Sequence, residues 1–422
     1  MTALPWSLLP DTAALGPDGG LQIGGCDLAE LAAEFGTPLF VYDEADLRAR
    51  CREAVAAFGD GVAYATKAFL CLAMARLAHE EGMHLDVATG GELHVALTAG
   101  VPAARLVLHG NNKSEAELVA AREAGVGRTV VDSFDELDRL EALHAVDGRV
   151  PGVLVRVTPG VEAHTHEYVR TGQDDSKFGF GLASGAAERA VQRMQASGAV
   201  ELVGVHAHIG SQVFVADFFH QAIDVLAPFV VPLGLAELSI GGGLGVAYVE
   251  GEQAPTITEW GGAVRQACAD AGITARVLAE PGRAVVARAA VTLYRVGTVK
   301  ELAGIRTYVS VDGGMSDNPR PVLYGSGYET FLPRSVGADR SRTVTVVGKH
   351  CESGDLLVRD ATVPADLAVG DLLATPVTGA YGHSMGSNYN KVPRPPVVFV
   401  AGGDARLVVR RESFDDLTRL ER

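Results

Sequence analysis

The residue in this sequence best placed to do covalent chemistry is Lys67, in the stretch Gly61-Val-Ala-Tyr-Ala-Thr-Lys-Ala-Phe-Leu70. The six residues before it read as a short buried β-strand, and the lysine stands where that strand ends. An ammonium placed there loses hydration, which lowers its pKa and frees a share of neutral amine. A neutral amine at the mouth of an α/β core is the nucleophile that condensation with an aldehyde requires. A surface lysine just past a strand is the plainer alternative.

Other residues carry types that such chemistry needs. Glu280 precedes Pro281, which holds it extended and out of any following helix. A carboxylate fixed there can pair with the protonated ring nitrogen of a phosphate-anchored cofactor and strengthen the ring as an electron sink, or it is a strand-end surface glutamate. Gly241-Gly-Gly-Leu-Gly245 fits no register of Gly-x-Gly-x-x-Gly, so a dinucleotide fold gains no support from it. Consecutive glycines do let backbone N–H groups close around a phosphate; a flexible turn is the competing use. His206 and His208 alternate, so a strand turns both to one side. An imidazole stacked on a cofactor ring, a metal pair and two hydrogen-bonded core histidines all agree with that spacing. Cys351-Glu352 sets a thiol beside a carboxylate, as a proton donor or as packing. Tyr381, in Gly379-Ala-Tyr, suits either a site or a core.

The elements that must position these residues follow a regular alternation from residue 61. Short β-rich runs at 61–66, 84–88, 105–109, 128–132, 152–157, 202–208, 236–240 and 275–279 are each followed by a helical stretch. Eight such units predict a closed (β/α)8 barrel of the TIM type rather than an open doubly wound sheet. Just past the runs stand Lys67, Thr89-Gly-Gly91, Gly110-Asn-Asn112, Asp132-Ser133, Arg156, His208-Ile-Gly-Ser211, Gly241-Gly-Gly243 and Glu280-Pro-Gly-Arg283. The loops at the opposite ends lack this enrichment, and the C-terminal face of such a barrel is where active sites form. In barrels phosphate sites commonly follow strands seven and eight, where the glycines and Gly282-Arg283 fall. A long insert, Gly160–Gly181, separates the fifth and sixth units, and a loop of that length is more often functional than decorative.

Three segments are expected: an N-terminal piece over 1–43 packing with a β domain, the barrel over 44–283, and a C-terminal β-sandwich or β-barrel domain over 284–422. Residues 1–36 read as a polar leader with one short helix, Asp27–Phe35, followed by a strand Leu39–Tyr42. After about residue 284, strand-like runs at 285–299, 306–311, 342–348, 355–360, 371–378, 396–401 and 405–411 alternate with Gly, Asp and Pro. A short helix over Asp415–Glu421 closes the chain.

Composition excludes several classes. A formal net charge of −16 disfavours nucleic acid or an anionic membrane as partner. The five cysteines are scattered with no Cys-x-x-Cys pair, which suits a reducing cytoplasm. The N-terminus has no basic region and is broken by Pro5 and Pro10, so no signal peptide is read. The apolar region 222–249 contains Asp224, Pro228, Pro232 and Glu237 and is no membrane span. A cytoplasmic soluble protein is expected.

The assembled motifs resemble the diaminopimelate decarboxylases, pyridoxal-phosphate enzymes of the alanine-racemase-like (β/α)8 group, and their actinobacterial members most. The resemblance runs from about Val41 to Arg411. It includes Ala65-Thr-Lys-Ala-Phe-Leu-Cys71, His109-Gly-Asn-Asn-Lys113, His206-Ala-His-Ile-Gly-Ser-Gln212, Glu280-Pro-Gly-Arg283, Asp312-Gly-Gly-Met-Ser-Asp317, Gly348-Lys-His-Cys-Glu-Ser-Gly-Asp355 and Ser387-Asn-Tyr-Asn390. Gly382-His383 departs from the bulkier pair expected after Gly-Ala-Tyr. The resemblance implies that Lys67 carries pyridoxal 5'-phosphate, that His208 stacks on its ring and that Glu280 pairs with the ring nitrogen. It assigns the phosphate to Ser211, Gly241, Gly242, Gly243, Gly282, Arg283 and Tyr381, and the substrate to Arg283, Arg320, Tyr324, Glu352 and Tyr381. It makes Cys351 the proton donor, reaching the site with Glu352 from a partner subunit, and so implies a homodimer with shared active sites. No metal is implied.

The expected reaction is decarboxylation of meso-2,6-diaminopimelate to L-lysine and CO2, the last step of lysine biosynthesis. That substrate's far end carries a carboxylate and an ammonium, which Arg320 and Glu352 suit by charge. The alternatives are a sister decarboxylase acting on another carboxylate-bearing amino acid, a metal-dependent barrel hydrolase using His206 and His208, and a homologue that has lost catalysis.

Overall fold

The computed structural model describes residues 6–160, 175–208, 210–214 and 217–422. The chain divides into two units: the described residues of Arg50–Val246 with Ala254–Ala284, and those of Met1–Ala49 with Ala247–Gln253 and Val285–Arg422.

In the first unit the eight apolar runs become eight parallel strands among the described residues: Ala63–Ala65, His84–Val87, Leu106–Leu108, Arg128–Val131, Gly152–Thr158, Glu201–Ala207, Glu237–Ser239 and Arg276–Leu278. Each pairs with the next in chain order. The ring closes where Ala63 N donates to Ala279 O at 2.9 Å and Ala65 N to Pro281 O at 3.1 Å. Parallel strands covered by helices bury both faces, which is why these runs are nearly unbroken in apolar residues. Ala63, Val107, Val130 and Leu154 pack together as one inner cluster. The following helices start on the polar residues that end the loops. Ser114 and Thr256 form capping boxes with Glu117 and Glu259, and Thr89 and Ser133 cap the helices Gly90–Thr98 and Phe134–Asp147.

The two ends of the barrel differ in purpose. At the N-terminal end, Glu237 accepts from Arg128 Nε and Nη2, both at 2.9 Å, and from Arg276 Nη2 at 2.6 Å. These residues open strands seven, four and eight, so one buried carboxylate ties three strands at the end away from the chemistry.

In the second unit the long strand Ala290–Leu302 organises the sheet. It pairs antiparallel with Leu39–Asp43, with Leu372–Pro376 and with Arg306–Val311. The sheet continues through Arg342–Val347 to Leu356–Val363 on one side and through Val397–Ala401 to Asp404–Val409 on the other. Two pairings are parallel, Leu39–Asp43 with Val397–Ala401 and Arg306–Val311 with Arg342–Val347.

Two expectations need correction. Residues 6–36 are more than a polar leader with a helix: Ala14–Leu15, Leu21–Ile23 and Cys26–Asp27 form a small antiparallel sheet. Leu9, Leu21, Ile23 and Leu28 from this stretch belong to the second unit's core, because apolar residues spaced among turn-formers bury themselves without a long periodic run. The strand expected from 285 begins at Ala290, after a helical turn Arg283–Val286. Of the Gly160–Gly181 insert, residues 161–174 lie outside the described residues; Phe180–Gly181 adds a two-residue strand parallel to the fifth. No described helix is long and apolar enough to cross a membrane.

Candidate active site

The C-terminal ends of the strands surround a cavity of about 290 Å³ lined by Lys67, Asp86, His109, Arg156, Phe178, His206, His208 and Glu280, among others. Lys67 lies in a single 3₁₀ turn, Thr66–Ala68, directly after the first strand. Two hydrogen bonds pin that turn: Thr66 Oγ1 donates to Asp86 O at 2.8 Å and Tyr64 OH to Phe69 O at 2.7 Å. The turn swings Lys67 out of the strand, so its side chain is exposed while Thr66 and Ala68 on either side are buried. The desolvation expected at this position is therefore not supplied by burial in this chain.

Glu280 sits inside the cavity wall, 8% exposed. Ser239 Oγ donates to its Oε1 at 2.8 Å, His206 Nε2 lies 3.0 Å from its Oε2, and His109 Nε2 lies 3.5 Å from Oε1. Burial alone would raise its pKa, but the facing His206 and His109 outweigh burial and hold it well below the usual carboxylate range. Burial opposes charge on His109 as well, yet Asp86 and Glu280 raise its pKa. His206 is pushed down, chiefly by burial. Asp86, buried in the second strand, is raised by desolvation.

The two alternating histidines divide their work. His206 bonds to Glu280, whereas His208 Nδ1 accepts from Gly242 N at 3.1 Å. Burial, then the charges of Lys67 and Arg156, press the His208 pKa well below its ordinary value, so this ring is a neutral imidazole. His109, His206 and Glu280 bring ligand-type atoms within 4.8 Å of one another; His208 is not part of that group.

The glycine turn after strand seven is closely built. A Cβ on Gly241 would lie 2.5 Å from His208 Nδ1, one on Gly242 2.3 Å from Glu280 O, and one on Gly243 2.2 Å from Gly210 O. Gly241 and Gly243 also have φ of 67° and 106°, which favour glycine. Gln212 clamps the far side, donating from Nε2 to Val246 O at 2.7 Å while its Oε1 accepts from Val246 N at 3.3 Å. Arg283 Nη2 donates to Ser211 Oγ at 3.0 Å, and Gly282 packs where a Cβ would meet Ala65 at 3.0 Å. Beside the cavity, Arg156 lies 4.2 Å from the centre of the Phe178 ring. Asp132 holds that segment by accepting from Gly179 N at 2.7 Å.

The barrel thus brings together Lys67, His208, Ser211, Gly241, Gly242, Gly243, Glu280, Gly282 and Arg283. The remaining expected residues belong to the second unit. Arg320 opens the short helix Arg320–Tyr324 and is buried, and Tyr324 closes it half-buried. Cys351 and Glu352 stand exposed in a turn, where Cys351 N donates to Asn390 Oδ1 at 3.1 Å and Glu352 Oε1 accepts from Gly354 N at 3.1 Å. Tyr381 is half-buried with φ of 64°. His109 and Ser239, which face Glu280, and Asp86, which faces His109, have no role that the sequence alone assigns. A charged residue inside a buried run, as Asp86 is, was the available signal.

An anionic carboxylate, an accessible primary amine and a turn no side chain can enter meet the three needs of pyridoxal phosphate: ring nitrogen, aldehyde and phosphate. Residues 44–287 match the family profile described as "Pyridoxal-dependent decarboxylase, pyridoxal binding domain", so fold and site define a pyridoxal-dependent decarboxylase. With 50% identity to the diaminopimelate decarboxylase of Mycobacterium tuberculosis, over 96% of this chain and 95% of that one, the chain belongs to the diaminopimelate decarboxylase family. The Bacillus subtilis enzyme of that name is 46% identical over 98% of each chain. Among solved structures, the diaminopimelate decarboxylase from M. jannaschii superposes with a TM-score of 0.91 at 32% identity, covering 98% of both chains. The Helicobacter pylori enzyme complexed with L-lysine gives 0.85 at 32%, covering 94% of this chain and 99% of that one.

Proposed function

We propose that the protein decarboxylates meso-2,6-diaminopimelate to L-lysine and CO2 as the last step of lysine biosynthesis. The observation that carries this reading is one cavity holding both the Lys67 amine and an ionised Glu280 beside the Gly241–Gly243 turn. When bound, pyridoxal phosphate supplies an electron sink for the pair released as the α-carboxylate leaves. Lys67 Nζ would hold the cofactor through its aldehyde carbon and give way to the substrate amine. Glu280 keeps a negative charge where the ring nitrogen must stay protonated. The neutral His208 imidazole would hold the cofactor ring by lying against it. Ser211, Gly241, Gly242, Gly243, Gly282, Arg283 and Tyr381 hold the phosphate by N–H, hydroxyl and guanidinium donors. Arg283, Tyr324 and Tyr381 orient the substrate, with Arg320 taking its distal carboxylate and Glu352 its distal ammonium. Cys351 Sγ delivers the proton to the α-carbon.

The exposed turn carrying Cys351 and Glu352 supports a homodimer in which that turn serves the partner's site. The working boundaries are 1–43 with the β domain, 44–283 for the cofactor-binding barrel and 284–422 for the β domain. The cytoplasm is the proposed location. The test is to supply purified protein with pyridoxal phosphate, reduce with borohydride, map the adduct, and assay CO2 and lysine from meso-diaminopimelate. The expected outcome is a visible absorption band, an adduct on Lys67 and equal yields of the two products. Protein that stays colourless and unlabelled at Lys67 overturns the reading.

A further inference from the structure

Arg320 is 5% exposed, and no carboxylate among the described residues pairs with it. Its contacts are aromatic instead. The guanidinium carbon lies 4.3 Å from the centre of the Tyr248 ring and 5.9 Å from that of Tyr328. Nη1 donates to Tyr328 OH at 3.0 Å. The two rings meet edge to face, centroids 5.2 Å apart and planes at 78°, so they brace each other as well as the arginine. Tyr248 is itself fixed: Glu252 Oε2 accepts from Tyr248 N at 2.8 Å and from Val249 N at 3.4 Å, closing the 248–252 turn on which the ring stands.

This is a built arrangement for a cation whose partner is still to come. An arginine covers a bidentate carboxylate only when its plane is held, and a flexible side chain loses much of that advantage to rotamer freedom. Tyr248 covers one face and Tyr328 occupies Nη1, leaving the other guanidinium N–H groups with no acceptor among the described residues. We propose that Tyr248 and Tyr328 form a sleeve that orients Arg320 toward the substrate's distal carboxylate and so sets the selectivity for a diamino acid carrying that group. This rests on the reading of Arg320 given under Proposed function. The tyrosines are positioning residues that act through the arginine.

The test uses the holoenzyme and four variants. Tyr248→Leu removes the covering ring and is expected to raise KM for meso-diaminopimelate about tenfold with kcat within twofold. Tyr248→Phe keeps the ring and stays within twofold on both. Tyr328→Phe removes one hydroxyl with little change in shape, so folding is retained, and raises KM about fivefold. Arg320→Ala gives the reference loss. The readout that a general structural defect does not reproduce is a pair of inhibitors differing by one carboxylate. In Tyr248→Leu and Tyr328→Phe, the inhibition constant of L-lysine should weaken in step with KM, while that of 1,5-diaminopentane stays within twofold. Equal weakening of both inhibitors, or an unchanged KM in Tyr328→Phe while Arg320→Ala raises KM, overturns the sleeve alone. An Arg320→Ala protein with unchanged KM overturns the underlying assignment of Arg320 and the sleeve with it.

Discussion

Replacing Glu280 with Gln isolates the charge at the centre of the cavity, because the amide keeps the shape and can still accept from Ser239 Oγ. The magnitude follows from the site. A unit negative charge 3.0 Å from a cationic N–H, the separation Glu280 keeps from His206 Nε2, is worth about 5.5 kcal/mol at an effective dielectric of about 20. An amide in the same place retains about 1 kcal/mol of hydrogen bond. His109, whose pKa is raised here, and Ser239 share the carboxylate, so roughly half of the difference is open to a protonated cofactor ring. That leaves about 2–3 kcal/mol, or about a hundredfold in rate. The assay is CO2 release at saturating pyridoxal phosphate and substrate, with the visible absorbance of the holoenzyme titrated against pH alongside it. The Gln variant should still form the Lys67 adduct but turn over about a hundredfold more slowly, with its absorbance transition shifted to lower pH as the ring nitrogen loses its counterion. A variant within tenfold of wild type, with an unmoved transition, would refute the claim that Glu280 acts through its charge.

Three further outcomes are expected. Glu237→Ala leaves the partly exposed Arg128 and Arg276 facing each other at the N-terminal end of the barrel and should destabilise the fold by about 1–2 kcal/mol, read as a drop of a few degrees in thermal melting. Burial would raise the Glu237 pKa, but the two arginines lower it; the stabilisation is therefore present above the ordinary glutamate range and lost as pH falls, so the gap to wild type should narrow in acid. Asp317 is the opposite case. Burial lifts its pKa from 3.8 to about 7, so the folded state holds a proton that the unfolded chain has released, and stability should decline by about 4 kcal/mol as pH rises from about 4 to above 7. Asp317→Asn, measured by denaturant melts at pH 5 and 8, should remove most of that slope; an unchanged slope would place the titration elsewhere. Cys351→Ala should cut decarboxylation by about 10²–10⁴-fold while leaving borohydride labelling of Lys67 intact, and undiminished turnover would remove the thiol from the mechanism.

The barrel was legible because its signals are local. The runs of aliphatic residues end in glycines, capping residues or a charged or imidazole side chain, and those endings mark the catalytic face without any knowledge of which strands touch. The circle around Glu280 was not legible for the opposite reason. Asp86, His109, His206, Ser239 and Glu280 come from or just past strands two, three, six, seven and eight, and their meeting depends on how the closed barrel staggers its strands, which no local window contains. Lys67 departs from the local expectation: strand burial predicts a desolvated amine, but the strand stops at Ala65 and one 3₁₀ turn leaves the side chain exposed on the cavity wall. Tyr248 is the converse lesson. It follows the glycine turn of strand seven in the chain, yet the 247–253 segment packs with the β domain, so sequence order alone assigned it to the barrel and to no role. The ring matters because of what it does to Arg320. A buried cation without a counterion is costly unless a ligand supplies one, and the residues that hold such a cation ready can be recognised only once its contacts are in view.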